Sequence, residues 1–151
     1  MNTGLSLMKN EMTLAIDSGA HTLYEHVMKQ RIKKGARKGA INWNFSKSKD
    51  FWEYVDLYGE FLQKYTADGT IDLYVNVDVI FDPQITWEVQ NYMESNFNLR
   101  PMPVVHYGED FEWIKKYIKK DYDYIGIGGV GQDVSTTEYV NWGDMLFKTI
   151  S

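Results

Sequence analysis

The sequence contains no cysteine. That rules out disulfides and thiolate metal sites and leaves the compartment open. It has no uninterrupted apolar run near the roughly 20 residues a bilayer-spanning helix needs. Its first twelve residues, MNTGLSLMKNEM, lack the basic-then-apolar pattern of a secretory leader. The formal charge of −5 is mild, so the chain as a whole is not built to bind polyanions. There is no low-complexity tract and no short repeat. The three histidines, His21, His26 and His106, show no metal-ligand spacing; the first two are five residues apart, off a common helix face. No metal and no cofactor are expected. These absences leave a soluble cytoplasmic protein as the expectation, a viral protein in a host cytoplasm included, with no membrane partner.

What is present reads as one globular domain. A hydrophobic content of 44% over 151 residues supplies one core and is too little for two. Past the first ten residues, strand-like and helix-like stretches alternate. Residues 12–16 form a short apolar run, and residues 21–31 carry Leu23, Val27 and Met28 near one helical face. Residues 29–47, rich in glycine and cations, read as a basic loop or insertion. Ser48 is a candidate N-cap for a helix over residues 49–65, and the run 67–70 is a turn. Residues 71–79, rich in β-branched and aromatic side chains, predict a strand. Asp82 before Pro83 starts a helix to about residue 97. Residues 102–106 predict a third strand, 109–119 a helix, 124–127 a fourth strand, and 135–150 a last helix opened by the capping-box pattern Ser135-Thr136-Thr137-Glu138.

Four strand–helix units in alternation argue for a parallel sheet with crossover helices. An open doubly wound sheet and part of a (β/α)8 barrel both fit; a complete barrel takes about 250 residues, so this length holds roughly half of one. In either fold the carboxyl ends of the strands form the ligand face. There the sequence places Asp17-Ser18-Gly19, then Asn76, Asp78 and Asp82, then His106-Tyr107-Gly108-Glu109, then the glycines of GIGGVG.

Each residue also has a plainer reading. Asp17 can cap the next helix, and Asp82 is a cap before Pro83. His106 can be a hydrogen-bonded core histidine, and Tyr107 a core tyrosine. Asp78 lies inside an apolar run, where a carboxylate needs a partner or a ligand. GIGGVG, residues 126–131, matches the dinucleotide pattern G-x-G-x-x-G in form. It follows the last strand rather than the first, so no nicotinamide cofactor is expected.

AIDSGAH, LYVNVDVIFDP, MPVVHYGED and YIGIGGVG, in that order, resemble the strand ends of the tRNA-guanine transglycosylase superfamily, most of all its phage-type members that place 7-deazaguanine bases in DNA. The resemblance covers residues 13–131. It implies a (β/α)8 fold, here a half-barrel of about four parallel βα units over residues 1–151. It also implies exchange of a guanine or 7-deazaguanine base in tRNA or DNA through a covalent sugar–enzyme intermediate. By that resemblance Asp17 is the acid/base group, Asp78 accepts from the N–H edge of the base, Gly128 and Gly129 offer backbone donors to its exocyclic oxygen, and His106 holds the same oxygen. Tyr107 is a candidate stacking surface.

The family's nucleophilic aspartate lies on a strand beyond the glycine motif, whereas Asp133 falls in a loop and Asp144 within the last helix. The expectation is therefore a base-binding half-barrel without its nucleophile: a truncated reading frame, part of a split enzyme, or a degenerate relative. Such a half-barrel leaves open strand edges, so self-association or a second chain completing the barrel is expected. Six cations fall within residues 29–38. Among them Lys33, Lys34, Arg37 and Lys38 read either as a solvated helix end or, with Trp43 and Phe45 nearby, as phosphate contacts to nucleic acid. Two further readings stand beside base exchange: a non-catalytic nucleobase- or nucleic-acid-binding subunit, and an unrelated metal-dependent α/β hydrolase using Asp17, Asp78 and His106.

Overall fold

The computed structural model describes residues 14–33, 44–80, 82–129 and 134–151. Four short strands alternate with helices: β1 (Ala15–Ile16), α1 (Ala20–Lys33), a 3-10 turn (Asn44–Lys47), α2 (Lys49–Ala67), β2 (Leu73–Tyr74), α3 (Pro83–Phe97), β3 (Val104–His106), α4 (Glu112–Lys119), β4 (Gly126–Gly128) and α5 (Thr136–Ile150). β1 pairs with β2 and β3 with β4, both parallel. A single parallel bridge, Val75 to Met102, joins the two ribbons. The pairing thus follows chain order from β1 to β4. The class is mixed α/β with parallel strands, and no closed barrel forms among the described residues.

The helices begin where local chemistry sets them. The Ser48 hydroxyl accepts the Phe51 N–H at 3.3 Å and caps α2, whose Phe51, Val55, Tyr58 and Leu62 are buried at alternating steps of four and three. Asp82 Oδ1 accepts the Ile85 N–H at 3.1 Å, Pro83 occupies the first turn of α3, and left-handed Asn98 (φ 53°) closes it. Ser135 and Glu138 form both halves of a capping box on α5. One core gathers α2, α3 and the chain around β2; a second joins Val105 of β3 to Ile114 and Tyr117 of α4 and Trp142 and Leu146 of α5. Gly59, inside α2, is explained by contact: a Cβ there would stand 2.6 Å from the Phe97 ring.

Three expectations shift. The strand expected over residues 71–79 is regular only at Leu73–Tyr74. Inter-strand bonds continue as far as the Asn76 N–H, which donates to the Met102 carbonyl at 3.0 Å. From there α3 takes up the polar groups, as Asn76 Nδ2 donates to the Thr86 carbonyl at 3.0 Å and the Val79 N–H donates to Thr86 Oγ1 at 2.9 Å. The helix expected from residue 109 starts at Glu112, because Gly108 turns the chain with φ +83° and Glu109 folds back under β3. The loop expected over residues 29–47 is helical at its start, where residues 29–33 complete α1, and ends as the 3-10 turn. Lys34, Arg37 and Lys38 lie outside the described residues, as do Asp133 and residues 12 and 13.

Candidate functional site

A cavity of about 420 Å³ opens where the strands end, with Asp17, Ser18, Asp78, His106 and Gly129 in its wall. Tyr24 of α1 and Phe51 of α2 add aromatic surface. Its size falls within the range of small-molecule sites, and its lining mixes apolar surface with a few polar groups, as such sites do.

Asp17 follows β1 directly and is exposed. The turn after it is made by its neighbours. Ser18 is buried, and its Oγ lies 3.4 Å from the Ala20 N–H at the start of α1. Gly19 takes φ +67°, and the Tyr54 hydroxyl donates to the Ser18 carbonyl. Ser18 rather than Asp17 therefore serves the helix start, which leaves the Asp17 carboxylate at the cavity. Burial, followed by the nearby Asp17 charge, raises the Tyr54 phenol above its usual range.

Asp78 sits between the two bonds that tie residues 76 and 79 to Thr86, so its backbone is braced on both sides. Its Oδ2 lies 2.7 Å from His106 Nε2, and His106 Nδ1 lies 2.8 Å from Glu109 Oε1. The imidazole is 2% exposed, and the side chains of Glu109 and Asp78 are 8% and 20% exposed. Ionised carboxylates only accept hydrogen bonds. Both ring nitrogens therefore carry hydrogen, and the ring is an imidazolium. Burial alone would depress its pKa; the hydrogen bonds and charges of Asp78 and Glu109 outweigh that and raise it to about 9. The three groups together carry one net negative charge.

This arrangement changes what His106 can do. With both nitrogens engaged it has no N–H left for a ligand's oxygen, and no lone pair for a metal. It holds Asp78 instead, while Asp78 Oδ1 makes no hydrogen bond among the described residues. Nor is any group of three His, Asp or Glu side chains among the described residues placed to hold a metal ion.

The glycines of β4 explain the fit of the ring. His106 faces Gly128 in the parallel register. A Cβ on Gly128 would come within 3.1 Å of the imidazole and of Val104, and one on Gly129 within 3.0 Å of His106 Cβ. Gly129 also adopts φ +73° and lines the cavity; Gly128 supports the imidazole and its carbonyl accepts the Tyr107 N–H at 3.0 Å. Tyr107 turns away, its ring 5.5 Å from that of Trp142 in the second core, and it does not line the cavity. Lys33 ends α1.

The structure thus brings Asp17, Asp78, His106 and Gly129 to one cavity, with Gly128 just behind. The residue that sequence reasoning missed is Glu109. Its only signal was the spacing His106-x-x-Glu109 after a strand, and it was absorbed into the following helix. No helix among the described residues is long and apolar enough to cross a membrane. No family model, no curated protein and no solved structure matches this chain.

Proposed function

We propose that the cavity is the base pocket of a base-exchange transglycosylase that acts on guanine or a 7-deazaguanine in DNA or tRNA. The observation that carries the reading is Asp78: a carboxylate in the wall of a cavity that Asp17 also lines, pinned through one oxygen by a buried imidazolium, with no hydrogen bond to the other oxygen among the described residues. A purine edge bearing adjacent N–H donors is the natural partner of such a group, and charge-assisted bonds of this kind are the strong ones. Tyr24 and Phe51 give a flat ring apolar surface to rest against, and Gly129 leaves its backbone open to a close approach.

In the proposed reaction a carboxylate attacks the anomeric carbon, the glycosidic C–N bond breaks, and the departing base takes a proton from Asp17. The incoming base returns a proton to Asp17 as its nitrogen displaces the carboxylate from the sugar. Asp78 is committed to binding, and Asp144 lies exposed on α5 away from the cavity. The attacking carboxylate is therefore assigned to a second chain or to a segment outside the described residues. The same reading treats the consecutive parallel strands as one half of a (β/α)8 barrel and the cations Lys33, Lys34, Arg37 and Lys38 as phosphate contacts.

Calorimetric titration with guanine, 7-cyano-7-deazaguanine and adenine tests the pocket, and transfer of labelled guanine into DNA and tRNA tests the reaction. Guanine should bind and adenine should not. Asp78→Asn should weaken guanine by tenfold or more, since a hydrogen bond to a charged group contributes about 1.5–3 kcal/mol. Equal affinity for the two purines, or an Asn variant that binds as well as the parent, overturns the proposal. A second reading, a binding subunit without catalysis, is favoured by the absence of a third carboxylate from the described cavity wall. Guanine binding without label transfer, with and without a partner chain, selects it.

A further inference from the structure

Glu109 is nearly buried, belongs to no helix, and has no described hydrogen-bond partner other than His106. A carboxylate taken out of water at such cost needs a purpose beyond the turn it sits in. The three side chains form a line that ends at the cavity wall: Glu109, then the buried His106, then Asp78. Each link is a short, partly buried hydrogen bond. Among the described residues, no other group around the imidazole offers it an alternative. β4 contributes only glycine backbone there. Tyr117 of α4 lies close enough to both carboxylates to have its phenol raised, chiefly by burial and then by Glu109, so it stays neutral. Asp17 and His21 line the cavity, with no hydrogen bond to the ring.

We propose that Glu109 is a positioning residue that acts through His106. It keeps the imidazole a doubly donating cation, and the ring in turn fixes Asp78 in one orientation, with Oδ1 left to accept from a ligand N–H. The inference rests on the base-pocket reading for the identity of that ligand. Its physical core does not. Without the Glu109 charge the imidazole loses its proton at lower pH. The bond to Asp78 then keeps its ionised acceptor but loses its cationic donor, so the attraction between the two opposite charges is gone. The carboxylate is held less firmly, and the pocket loses its selectivity for donors as pH rises. Glu109 thereby sets the upper end of the pH range over which the pocket reads an N–H edge.

The experiment combines guanine titration at pH 6 and pH 8 with NMR titration of the His106 ring in the unliganded protein, for the parent chain, Glu109→Gln and His106→Gln. In the parent the ring should remain protonated at pH 8, and affinity should be the same at both pH values. Glu109→Gln should lower the ring's midpoint by one pH unit or more. It should bind like the parent at pH 6 and about twofold more weakly at pH 8, where about half of its rings are neutral. His106→Gln should be weak at both values with no pH dependence. A parent ring titrating near 6.5 overturns the proposal. So does a Glu109→Gln variant equally impaired at both pH values, which marks a merely structural role. If guanine fails to bind the parent at any pH, the base-pocket reading falls, while the ring titration still decides the role of Glu109.

Discussion

The buried imidazolium makes the stability of the fold depend on pH in a direction opposite to that of most proteins with paired acids. His106 titrates at about 9 when folded, against 6.5 for an unconstrained histidine. Between those values the folded chain holds a proton that the unfolded chain has released. The slope of unfolding free energy with pH is therefore negative, approaching 1.4 kcal/mol per pH unit. The contribution is fully present below about pH 6.5 and is lost as pH rises through 9. A difference of about 2.5 units corresponds to about 3 kcal/mol, a large share of the 5–15 kcal/mol that holds a typical domain together. Urea unfolding at half-unit steps from pH 6 to 9.5 measures it. This range stops below 10, where the phenols of buried Tyr58 and Tyr117 and of partly buried Tyr122, all raised mainly by burial, begin to add their own loss. The parent should lose about 3 kcal/mol across the range, and His106→Gln should be flat. Should that variant fail to fold, the parent's slope still counts the protons. A parent curve that is level from pH 6.5 to 9, or one that rises, refutes the assignment of His106 as a cation between two acids.

Two further outcomes follow from packing. Gly59→Ala should lower stability by about 1–2 kcal/mol in urea unfolding, because overpacking against the Phe97 ring costs about 1–3 kcal/mol and helix propensity returns less than about 1; a more stable variant contradicts the contact. The outer side of α5 leaves Val140, Met145 and Phe147 each more than half exposed, and Ile127 on β4 is 38% exposed, so light scattering should find a mass above that of one chain and Phe147→Asp should reduce it. A monomeric parent removes the expectation of a partner on that face.

Much of the helical framework was legible because helix starts are local. Ser48, Asp82-Pro83 and Ser135 with Glu138 each announce a helix within four residues, and each caps one as expected. Strand extents were less legible. A ladder depends on partners 22 or more residues away, and past Asn76, whose N–H still donates to the Met102 carbonyl, the Val79 N–H found Thr86 rather than a neighbouring strand. The site divides the same way. Asp17, Asp78, His106 and Gly129 were readable as strand ends, since alternation alone sends those ends to one face. What each does there was not. The engagement of both imidazole nitrogens depends on Asp78, 28 residues earlier, and on a turn that carries Glu109 out of helical register. Tyr107 was equally ambiguous, because which way a side chain leaves a turn is set by the aromatic cluster of α5 that receives it.

The last strand has a consequence of its own. Gly126 and Gly128 share one side of β4, and at both the space a side chain would fill is already taken, by Met102 at the first and by Val104 and the imidazole at the second. β4 is thus an empty slot into which its neighbour leans, and the histidine has room because Gly128 and the adjacent Gly129 carry no side chain. Enlarging either glycine would crowd the neighbours that β4 receives and, at Gly128, press on the ring itself. A saturation screen should then find Gly128 as intolerant as any buried hydrophobe, although it contributes no atom beyond the main chain, and Gly126 less so, because the flexible end of Met102 can move aside.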